Sequence, residues 1–519
     1  MPLNDEIKNV VMLVHELLEQ NAERLPDKVA LICGQQRLTY ADIDRQGNRL
    51  AHALRALGIQ RGDRVALYLP NCSELAISIF ASLKAGGMFV PINYSTKLDK
   101  CAYILNNCQA KVLITSGRQA TTARQLAQIV PSLKATILTT PIPATDDDHN
   151  VWHYDAIQAD YGEQPLPSSN IDLDLACLIY TSGSTGEPKG VMSDHSNMIF
   201  AANSIVKYIS NIESDIILNL LPLSFDYGLY QLLMTFSFGG TLVLERGFTF
   251  PATILKAIEK EQVTGFPAVP SIFSRLLPMD LSPYNLSSLR YLTNTAAALP
   301  ASHIKVIRDK FPTATLFSMY GLTETKRTLY LPPEQLEKRP ESVGIAIPGT
   351  EVWIEDEEGQ RLGVGEVGEL VVRGRHVMRG YWNAPEQTAR RFRYNHTGDR
   401  ICYTGDLFRM DRDGYLYFVA RKDDIIKSRG EKVAPKEVEN VLYDLAGVRE
   451  AAVIGIPDPL WGQVVKAFIV LEEECQLTEA DIFRHCRDHL EDFMVPQIVE
   501  LRTELPKTST GKIQKKSLQ

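Results

Sequence analysis

The chain has 519 residues, of which 45 % are hydrophobic, and a formal net charge of -8. This length allows a large buried core that is divided into two or more domains. The acidic balance and the scattered Lys and Arg residues exclude the basic surface typical of nucleic-acid-binding proteins. No stretch approaches the roughly 18 apolar residues of a membrane span, and the first residues lack a secretory signal. We therefore expect a cytoplasmic protein without a membrane or nucleic-acid partner.

Apolar strand patterns alternate with helical patterns through the first part of the chain, as in GDRVALYLPNCSELAISIFASLKAGGMFVPI. This alternation predicts a layered α/β sheet. Residues 141–170 are rich in Pro, Asp and Ser and are expected to form a loop. The last ~95 residues read as a small α/β unit of two helices and a strand pair. The eight cysteines form no CxxC pair, which favours reduced thiols over disulfides or zinc.

A loop rich in glycine and hydroxyl residues, YTSGSTGEPKGVM, occupies residues 180–192 directly after the apolar run LACLIY. Glycines allow positive φ angles and close approach of the backbone to a ligand, while hydroxyl groups and a lysine bind anions. The residues with these properties are Thr181, Ser182, Gly183, Ser184, Thr185, Gly186, Lys189 and Gly190. The loop predicts phosphate binding, although a flexible surface loop has a similar composition.

An acidic residue, Asp226, opens the apolar helical pattern in the segment LPLSFDYGLYQLLM. Asp is a good N-cap, so its carboxylate is suited to cap this helix. If the carboxylate is buried instead, it needs a cationic partner, because an unpaired buried charge costs several kcal/mol. The residues alone leave both interpretations open.

A strand-like run in TATLFSMYGLTET ends in Tyr320, Thr323 and Glu324. An aromatic ring offers a stacking face, and a carboxylate can hold a magnesium ion that bridges phosphates. A turn followed by a helix cap would account equally well for these five residues, YGLTE.

Charged residues cluster in residues 403–442, which begin YTGDLFRMDRDGYLYFVARKDD. Asp406 could accept hydrogen bonds from two ribose hydroxyls, and Arg421 could bind the same sugar or a phosphate. The alternative is a hairpin with charged turns, because DRDG and RKDD are turn-prone. Further on, Lys512 in PKTSTGKI is either a solvated lysine or a cation on a mobile loop.

Four of these segments, namely the loop at residues 180–192, YGLTE, the cluster at residues 403–442 and PKTSTGKI, resemble in order the signatures of the adenylate-forming enzymes, which include acyl-CoA synthetases, firefly luciferases and the adenylation domains of nonribosomal peptide synthetases. The resemblance implies an adenylation core domain at residues 1–422 and a mobile C-terminal domain at residues 423–519, with a hinge at Asp423. The expected fold class is therefore α/β, with a large N-terminal domain of layered α/β subdomains and a small C-terminal α+β domain.

The resemblance also implies ATP and Mg²⁺ as cofactors and assigns roles to individual residues. Lys512, Glu324 and Thr323 are the implied catalytic residues, and Glu324 is the implied metal ligand. A cation at Lys512 would stabilise charge as the substrate carboxylate attacks the α-phosphate. The implied ATP-binding residues are Thr181, Ser182, Gly183, Ser184, Thr185, Gly186, Lys189, Ala296, Ala297, Tyr320, Asp406 and Arg421. At Ala296 and Ala297 the family more often has glycine.

The substrate is implied by a match of Ser224, Phe225 and Asp226 to a motif of amino-acid-activating domains. In those domains the carboxylate pairs with the α-ammonium group of the substrate. The implied substrate-binding residues are Asp226, Tyr227, Tyr230, Thr293, Thr295, Met319 and Thr328. The segment around Asp226 resembles free-standing ligases that load proline onto a separate carrier protein, so L-proline is the expected substrate.

The expected reaction is ATP-dependent formation of an aminoacyl adenylate and its transfer to the phosphopantetheine thiol of a stand-alone carrier protein. One alternative is a carboxylic acid:CoA ligase, in which Asp226 only caps a helix. The other is a non-catalytic adenylate-binding relative. Against the latter, the chain contains all of the groups whose loss would end catalysis, namely Lys189, Glu324, Asp406, Arg421 and Lys512.

Overall fold

The computed structural model describes residues 11–141, 150–182, 188–248, 250–295, 299, 301–428, 431–458, 462–473, 475–508 and 512–518. The strands are β1 Val29–Cys33, β2 Gln36–Thr39, β3 Arg64–Tyr68, β4 Met88–Pro91, β5 Val112–Thr115, β6 Ala135–Leu138, β7 Val151–His153, β8 Leu175–Ser182, β9 Pro188–Asp194, β10 Ile216–Asn219, β11 Thr241–Leu244, β12 Gly265–Ala268, β13 Tyr291–Asn294, β14 Thr315–Tyr320, β15 Leu329–Leu331, β16 Ile345–Ala346, β17 Thr350–Glu355, β18 Val367–Gly374, β19 Phe392–Tyr394, β20 Arg400–Met410, β21 Leu416–Arg421, β22 Ile426–Ser428, β23 Glu431–Val433, β24 Val448–Asp458, β25 Gly462–Leu471 and β26 Ile498–Leu501. The helices are α1 Glu16–Arg24, α2 Tyr40–Ala56, α3 Ser73–Lys84, α4 Leu98–Cys108, α5 Ala120–Ile129, α6 Tyr154–Asp160, α7 His195–Ile209, α8 Asp226–Phe238, α9 Pro251–Glu261, α10 Pro270–Leu276, α11 Ala301–Lys310, α12 Pro385–Arg391, α13 Pro435–Asp444 and α14 Glu479–His489.

Two large sheets, parallel over most of their width, organise the first part of the chain. One has the strand order β7-β6-β5-β3-β4-β8-β9 and the other β16-β15-β14-β13-β12-β10-β11-β1-β2. Several strands, among them β4, β5, β11 and β12, are buried at every residue. Such continuous burial is typical of parallel strands that are covered on both faces, and it explains the uninterrupted apolar runs in the sequence.

Helices α3 and α8 connect these two sheets. Helix α3 contacts β3 and β4 of the first sheet, and α8 contacts β10 and β11 of the second. Phe80 on α3 stacks on Phe236 on α8 with ring centroids 5.2 Å apart. Helix α8 is buried over most of its length, as expected for a helix that is apolar all round. This packing fixes the N-terminal end of α8, where Asp226 lies.

The last part of the chain has its own sheets and cores. Strands β17–β21 form an antiparallel sheet, and β22–β26 form a second sheet that packs with α13 and α14. Two separate buried clusters, one that contains Val453 and one that contains Phe468, are made of residues from Ile426 onward. The predicted α/β fold class, with a large N-terminal and a small C-terminal domain, is confirmed. The boundary between residues 422 and 423 stays a prediction; Asp423 lies exposed in the 3-10 helix Lys422–Asp424.

Three local expectations from the sequence were wrong. Residues 141–170 are not a continuous loop, because they contain β7 and α6, with Tyr154 and Ile157 buried. Apolar residues recur at helical spacing from Val11 to Asn21 and predict a helix over this range, but α1 begins only at Glu16. Asp226 does not cap α8, since it is the first residue of the helix and the N-cap is Phe225.

None of the helices within the described ranges is long and apolar enough to cross a membrane.

Candidate active site

The predicted ribose-binding residues are direct neighbours across two antiparallel strands. Asp406 lies within β20, not in a turn after a strand, and it is paired in register with Arg421 at the end of β21. Arg421 Nε lies 3.2 Å from Asp406 Oδ1, and Tyr320 Oη donates a hydrogen bond of 2.6 Å to Asp406 Oδ2. Burial raises the pKa of Asp406, and the Arg421 guanidinium opposes this shift. The sheet therefore brings together Tyr320, Asp406 and Arg421.

Glu324, the predicted metal ligand, lies on the loop that connects β14 and β15, next to Thr323. Tyr381 Oη donates a hydrogen bond of 2.6 Å to Glu324 Oε1, and Lys189 Nζ lies 5.5 Å from the centre of the Tyr381 ring. Lys189 of the predicted phosphate loop and Glu324 therefore share Tyr381 as a neighbour. Burial works against the charge of Arg391, but the Glu324 and Asp406 carboxylates help to raise the pKa of this guanidinium. Arg391 and Tyr381 had no motif to identify them in the sequence.

The donor set around Glu324 suits Mg²⁺. No group of three or more His, Cys, Asp and Glu residues that could hold a metal occurs within the ranges given above. Mg²⁺ does not need one, since it usually binds one or two protein carboxylates and completes its shell with phosphate oxygens and water. Glu324 supplies such a carboxylate, and its one side-chain hydrogen bond among the described residues is accepted by Oε1.

Part of the predicted phosphate and adenine sites lies outside the described residues. This applies to Gly183, Ser184, Thr185 and Gly186 of the phosphate loop and to Ala296 and Ala297. The flanking strands are described: β8 ends at Ser182 and pairs antiparallel with β9, so that Thr181 is opposite Lys189. The loop thus connects the two strands of a hairpin whose far strand carries Lys189.

Lys512 reaches the same site from the C-terminal domain. Its backbone N donates to Thr508 Oγ1 at 3.1 Å, and Thr508 N donates to the Lys512 carbonyl at 2.7 Å. The residue as a whole is exposed, yet its amine lies in the field of Arg421, Asp406 and Glu324. Burial of the amine and then Arg421 lower its pKa, while the two carboxylates oppose this shift. Lys512 is therefore not a freely solvated lysine.

Asp226 already has a cationic partner within the chain. Lys326 Nζ lies 2.6 Å from Asp226 Oδ1, and the two side chains are 0 % and 10 % exposed. Lys326 Nζ also donates to Ser193 Oγ at 3.2 Å and lies 5.6 Å from the centre of the Tyr230 ring. Lys326 supplies the cation that burial of the Asp226 carboxylate demands, so this charge does not need a substrate ammonium, and the substrate-binding role of Asp226 stays a prediction.

The loop that carries Glu324 and Lys326 is tightly folded. Thr328 N donates to the Tyr320 carbonyl at 2.9 Å, and a Cβ added at Gly321 would lie 2.0 Å from the Lys326 carbonyl oxygen. Lys326 has a φ of +55°, in the left-handed region that non-glycine residues rarely adopt. Glycine is required at 321 because any side chain would collide with the backbone of this loop.

We expect Gly321→Ala to lower both stability and the rate of pyrophosphate release. The new Cβ must displace the loop, overpacking of this kind costs about 1–3 kcal/mol, and a shift of about 1 Å in a site can cost about 100-fold in rate. Gly363→Ala is the matched control, because a Cβ there meets only the flexible Glu366 side chain at 3.2 Å. Wild-type turnover and unfolding temperature in Gly321→Ala would show that the loop tolerates the extra group.

The predicted substrate pocket is brought together only in part. Tyr227 Oη hydrogen-bonds to Thr293 Oγ1 at 2.7 Å, and its ring lies under the Arg327 guanidinium with Cζ 4.6 Å from the ring centre. Tyr230 contacts Lys326 as described, whereas the Thr328 hydroxyl is hydrogen-bonded to the Thr325 hydroxyl at 2.7 Å. Met319 Sδ accepts a hydrogen bond of 2.7 Å from Tyr208, and Thr295 is buried.

Lys326 and Arg327 are the pocket residues that the sequence interpretation missed. Both directly follow YGLTET, and both are buried, with 1 % and 4 % of their surface exposed. Two consecutive cations after a signature segment were a usable signal, since a buried lysine or arginine needs an anionic partner. Such a partner is present for Lys326, in the form of Asp226.

Residues 18–382 match the family of AMP-binding enzymes, and residues 437–512 match the C-terminal domain of AMP-binding enzymes. The chain is 33 % identical over 536 residues to the long-chain-fatty-acid–CoA ligase of Bacillus subtilis (strain 168), which covers 97 % of this chain and 94 % of that protein. It is 30 % identical over 516 residues to a linear gramicidin synthase polypeptide of Brevibacillus parabrevis, covering 98 % of this chain and 6 % of that protein. The crystal structure of the anthranilate CoA ligase AuaEII in complex with anthranoyl-AMP superposes with a TM-score of 0.90 at 28 % identity and 98 % coverage of both chains.

Proposed function

This chain belongs to the AMP-binding enzyme family of adenylate-forming acid–thiol ligases, which use ATP and Mg²⁺, and we propose that it is a carboxylic acid:CoA ligase. The observation that carries this proposal is the ion pair between Asp226 and Lys326, which leaves the carboxylate without need of a substrate ammonium. The similarity to CoA ligases over almost the whole chain supports the same conclusion. The CoA ligase alternative therefore replaces proline activation and carrier loading as the favoured function.

In the proposed reaction the substrate carboxylate attacks the α-phosphorus of ATP, and pyrophosphate leaves. Lys512, together with Lys189, supplies positive charge where negative charge develops on the phosphoryl oxygens. Asp406 and Arg421 hold the ribose, and Tyr320 packs on the adenine. Glu324 would hold Mg²⁺, which would neutralise charge on the phosphates. The thiol of CoA then attacks the acyl adenylate, releasing AMP and a thioester.

Between the two steps Lys512 must leave the site to admit the thiol. We assign this motion to rotation of the C-terminal domain about Asp423. The residue is suited to a hinge, because it is exposed and lies between the core that ends near Phe418 and the core that begins at Ile426. Such conformational gates accompany many two-step reactions.

Amino-acid activation stays a second candidate because of one unpaired atom. Asp226 Oδ2 is buried and has no hydrogen-bond partner among the described residues, so a substrate amine or hydroxyl could donate to it. The similarity to linear gramicidin synthase fits this candidate. If the chain activates amino acids, proline would be the substrate and a carrier protein the acceptor.

The test is to measure pyrophosphate release and CoA thioester formation in parallel with Mg-ATP. The acids are aliphatic and aryl acids without an amine, together with proline and the other amino acids. We expect an acid without an α-amine to give both pyrophosphate and thioester. Pyrophosphate release with proline and no thioester with CoA would overturn the proposal in favour of carrier loading. No release with any acid would favour the non-catalytic alternative.

A further inference from the structure

Arg327 is a buried cation without an anionic partner. Its surface is 4 % exposed, and its Nε has no hydrogen-bond partner among the described residues. Its polar contact among the described residues is a hydrogen bond of 3.3 Å from Nη1 to the Lys326 carbonyl, and its Cζ lies over the Tyr227 ring, 4.6 Å from the ring centre. No carboxylate in the described ranges forms an ion pair with it. A buried guanidinium in this state is costly unless a ligand completes it.

Arg327 lies beside the residues that are predicted to bind the acid substrate. Tyr227, on which it lies, belongs to the first turn of α8 and is anchored at 2.8 Å to the Thr293 carbonyl of β13. The guanidinium also acts on the pKa values of Asp226 and Tyr208, which line the same region. Arg327 thus packs on Tyr227 of α8, and its charge also helps to lower the pKa of Lys512.

The charges of this region do not balance. Lys326 forms the ion pair with Asp226, and Glu324 is hydrogen-bonded to Tyr381, which leaves Arg327 without an ion pair of its own among the described residues. The reacting carboxylate of the substrate attacks the α-phosphorus of ATP, and Lys512 supplies the positive charge for that step. A different anion is therefore required to pair with Arg327.

We propose that the acid substrate carries a second anionic group, a carboxylate, that pairs with Arg327 over the ring of Tyr227. This inference rests on the proposed function, in that the same pocket receives the acid that is activated. Arginine suits the role because its planar donors bind a carboxylate at two points. Asp226 Oδ2 and the buried, unpaired Tyr230 hydroxyl add polar character, and a plain alkyl chain would leave all of these groups unsatisfied.

The experiment compares acids that differ only in the distal group: butyrate with succinate, valerate with glutarate, hexanoate with adipate, and benzoate with terephthalate. For wild type we expect kcat/KM to be at least about 100-fold higher for the dicarboxylate of the preferred length than for its matched monoacid, because sites built to hydrogen-bond a group strongly reject analogues without it. In Arg327→Gln this preference should fall to within about threefold, with KM for ATP unchanged. Arg327→Lys should retain part of it.

Arg308→Gln is the matched control, because it removes a surface arginine that pairs with Glu337. Circular dichroism and the unfolding temperature establish that each variant is folded. The comparison of matched acids in wild type tests the inference even if a variant does not fold. Equal kcat/KM for matched acids in wild type would overturn the inference. So would a loss in Arg327→Gln that is equal for all acids and raises KM for ATP, since the arginine would then serve the phosphate or the reacting carboxylate.

Calorimetric titration of the same acids separates this inference from the proposed function. If no acid yields a CoA thioester, but dicarboxylates bind wild type at least about 100-fold more tightly than monoacids and Arg327→Gln abolishes the difference, the CoA ligase proposal fails and the second-anion inference stands. If monoacids yield thioesters as readily as dicarboxylates, the ligase proposal stands and the inference fails.

Discussion

Lys512→Ala should reduce acyl-adenylate formation, measured as acid-dependent pyrophosphate release, by about 100- to 1,000-fold. The amine lies in the field of Asp406, Glu324 and Arg421, where a fixed positive charge can stabilise the negative charge that develops on the phosphoryl oxygens. Removal of one preorganised donor from such a site costs about 2.7–4 kcal/mol of transition-state stabilisation. KM for ATP should change much less than kcat, because the contact is needed as charge develops.

The second half-reaction provides an internal control for this variant. With synthetic acyl adenylate and CoA, Lys512→Ala should form thioester at close to the wild-type rate, because the lysine has left the site by then. Lys515→Ala removes the same charge three residues further on, from a side chain paired with Glu439 at 2.6 Å, and should keep pyrophosphate release near wild type. Equal losses in both half-reactions of Lys512→Ala would instead indicate a folding defect of the C-terminal domain.

Removal of either partner of the Asp226–Lys326 pair should destabilise the large domain by about 3–5 kcal/mol, because the remaining charge is left buried and uncompensated. Asp226→Ala leaves an ammonium that is 0 % exposed, and Lys326→Ala leaves a carboxylate that is 10 % exposed. Both changes should lower the unfolding temperature measured by calorimetry. This loss of stability should be present without any substrate, which separates it from a role in recognising a substrate amine.

A double-mutant cycle completes this test. Asp226→Asn and Lys326→Met are measured singly and in combination; the combination removes both charges and should be more stable than the sum of these two single losses predicts. Glu337→Ala, which breaks a surface pair with Arg308, should change the unfolding temperature little. If Asp226→Ala is as stable as wild type and loses only the activation of amines, the ion pair is dispensable and the carboxylate serves the substrate.

The proximity of Tyr320, Asp406 and Arg421, which we assign to the nucleotide half of the proposed site, could be predicted because each of these groups lies in a local pattern. Tyr320 and Glu324 follow the end of a strand, and Asp406 and Arg421 are opposite each other in a hairpin. Such short-range arrangements are encoded in a few consecutive residues. That these distant segments come together in one site could be predicted only from the resemblance of the whole chain to adenylate-forming enzymes.

The acid half could not be predicted in the same way, because its key contact is between residues that are 100 positions apart. The sequence shows Asp226 as an isolated acid and Lys326 as one of many lysines, and only the packing of α8 against the β14–β15 loop brings them together. Residues 141–170 illustrate the same limit. Their polar composition predicted a loop. Tyr154 and Ile157 are nevertheless buried, and their burial depends on contacts with distant residues that the local sequence does not show.

Position 326 is under two opposing requirements in evolution, one from its backbone conformation and one from the charge of Asp226. A φ of +55° favours glycine or asparagine, yet neither can neutralise the buried carboxylate of Asp226. A lysine that satisfies the charge therefore keeps the less favourable backbone, and a replacement that relaxes the backbone abandons the charge. Among related sequences, positions 226 and 326 should accordingly change together, and where the acid is absent glycine or asparagine should replace the lysine.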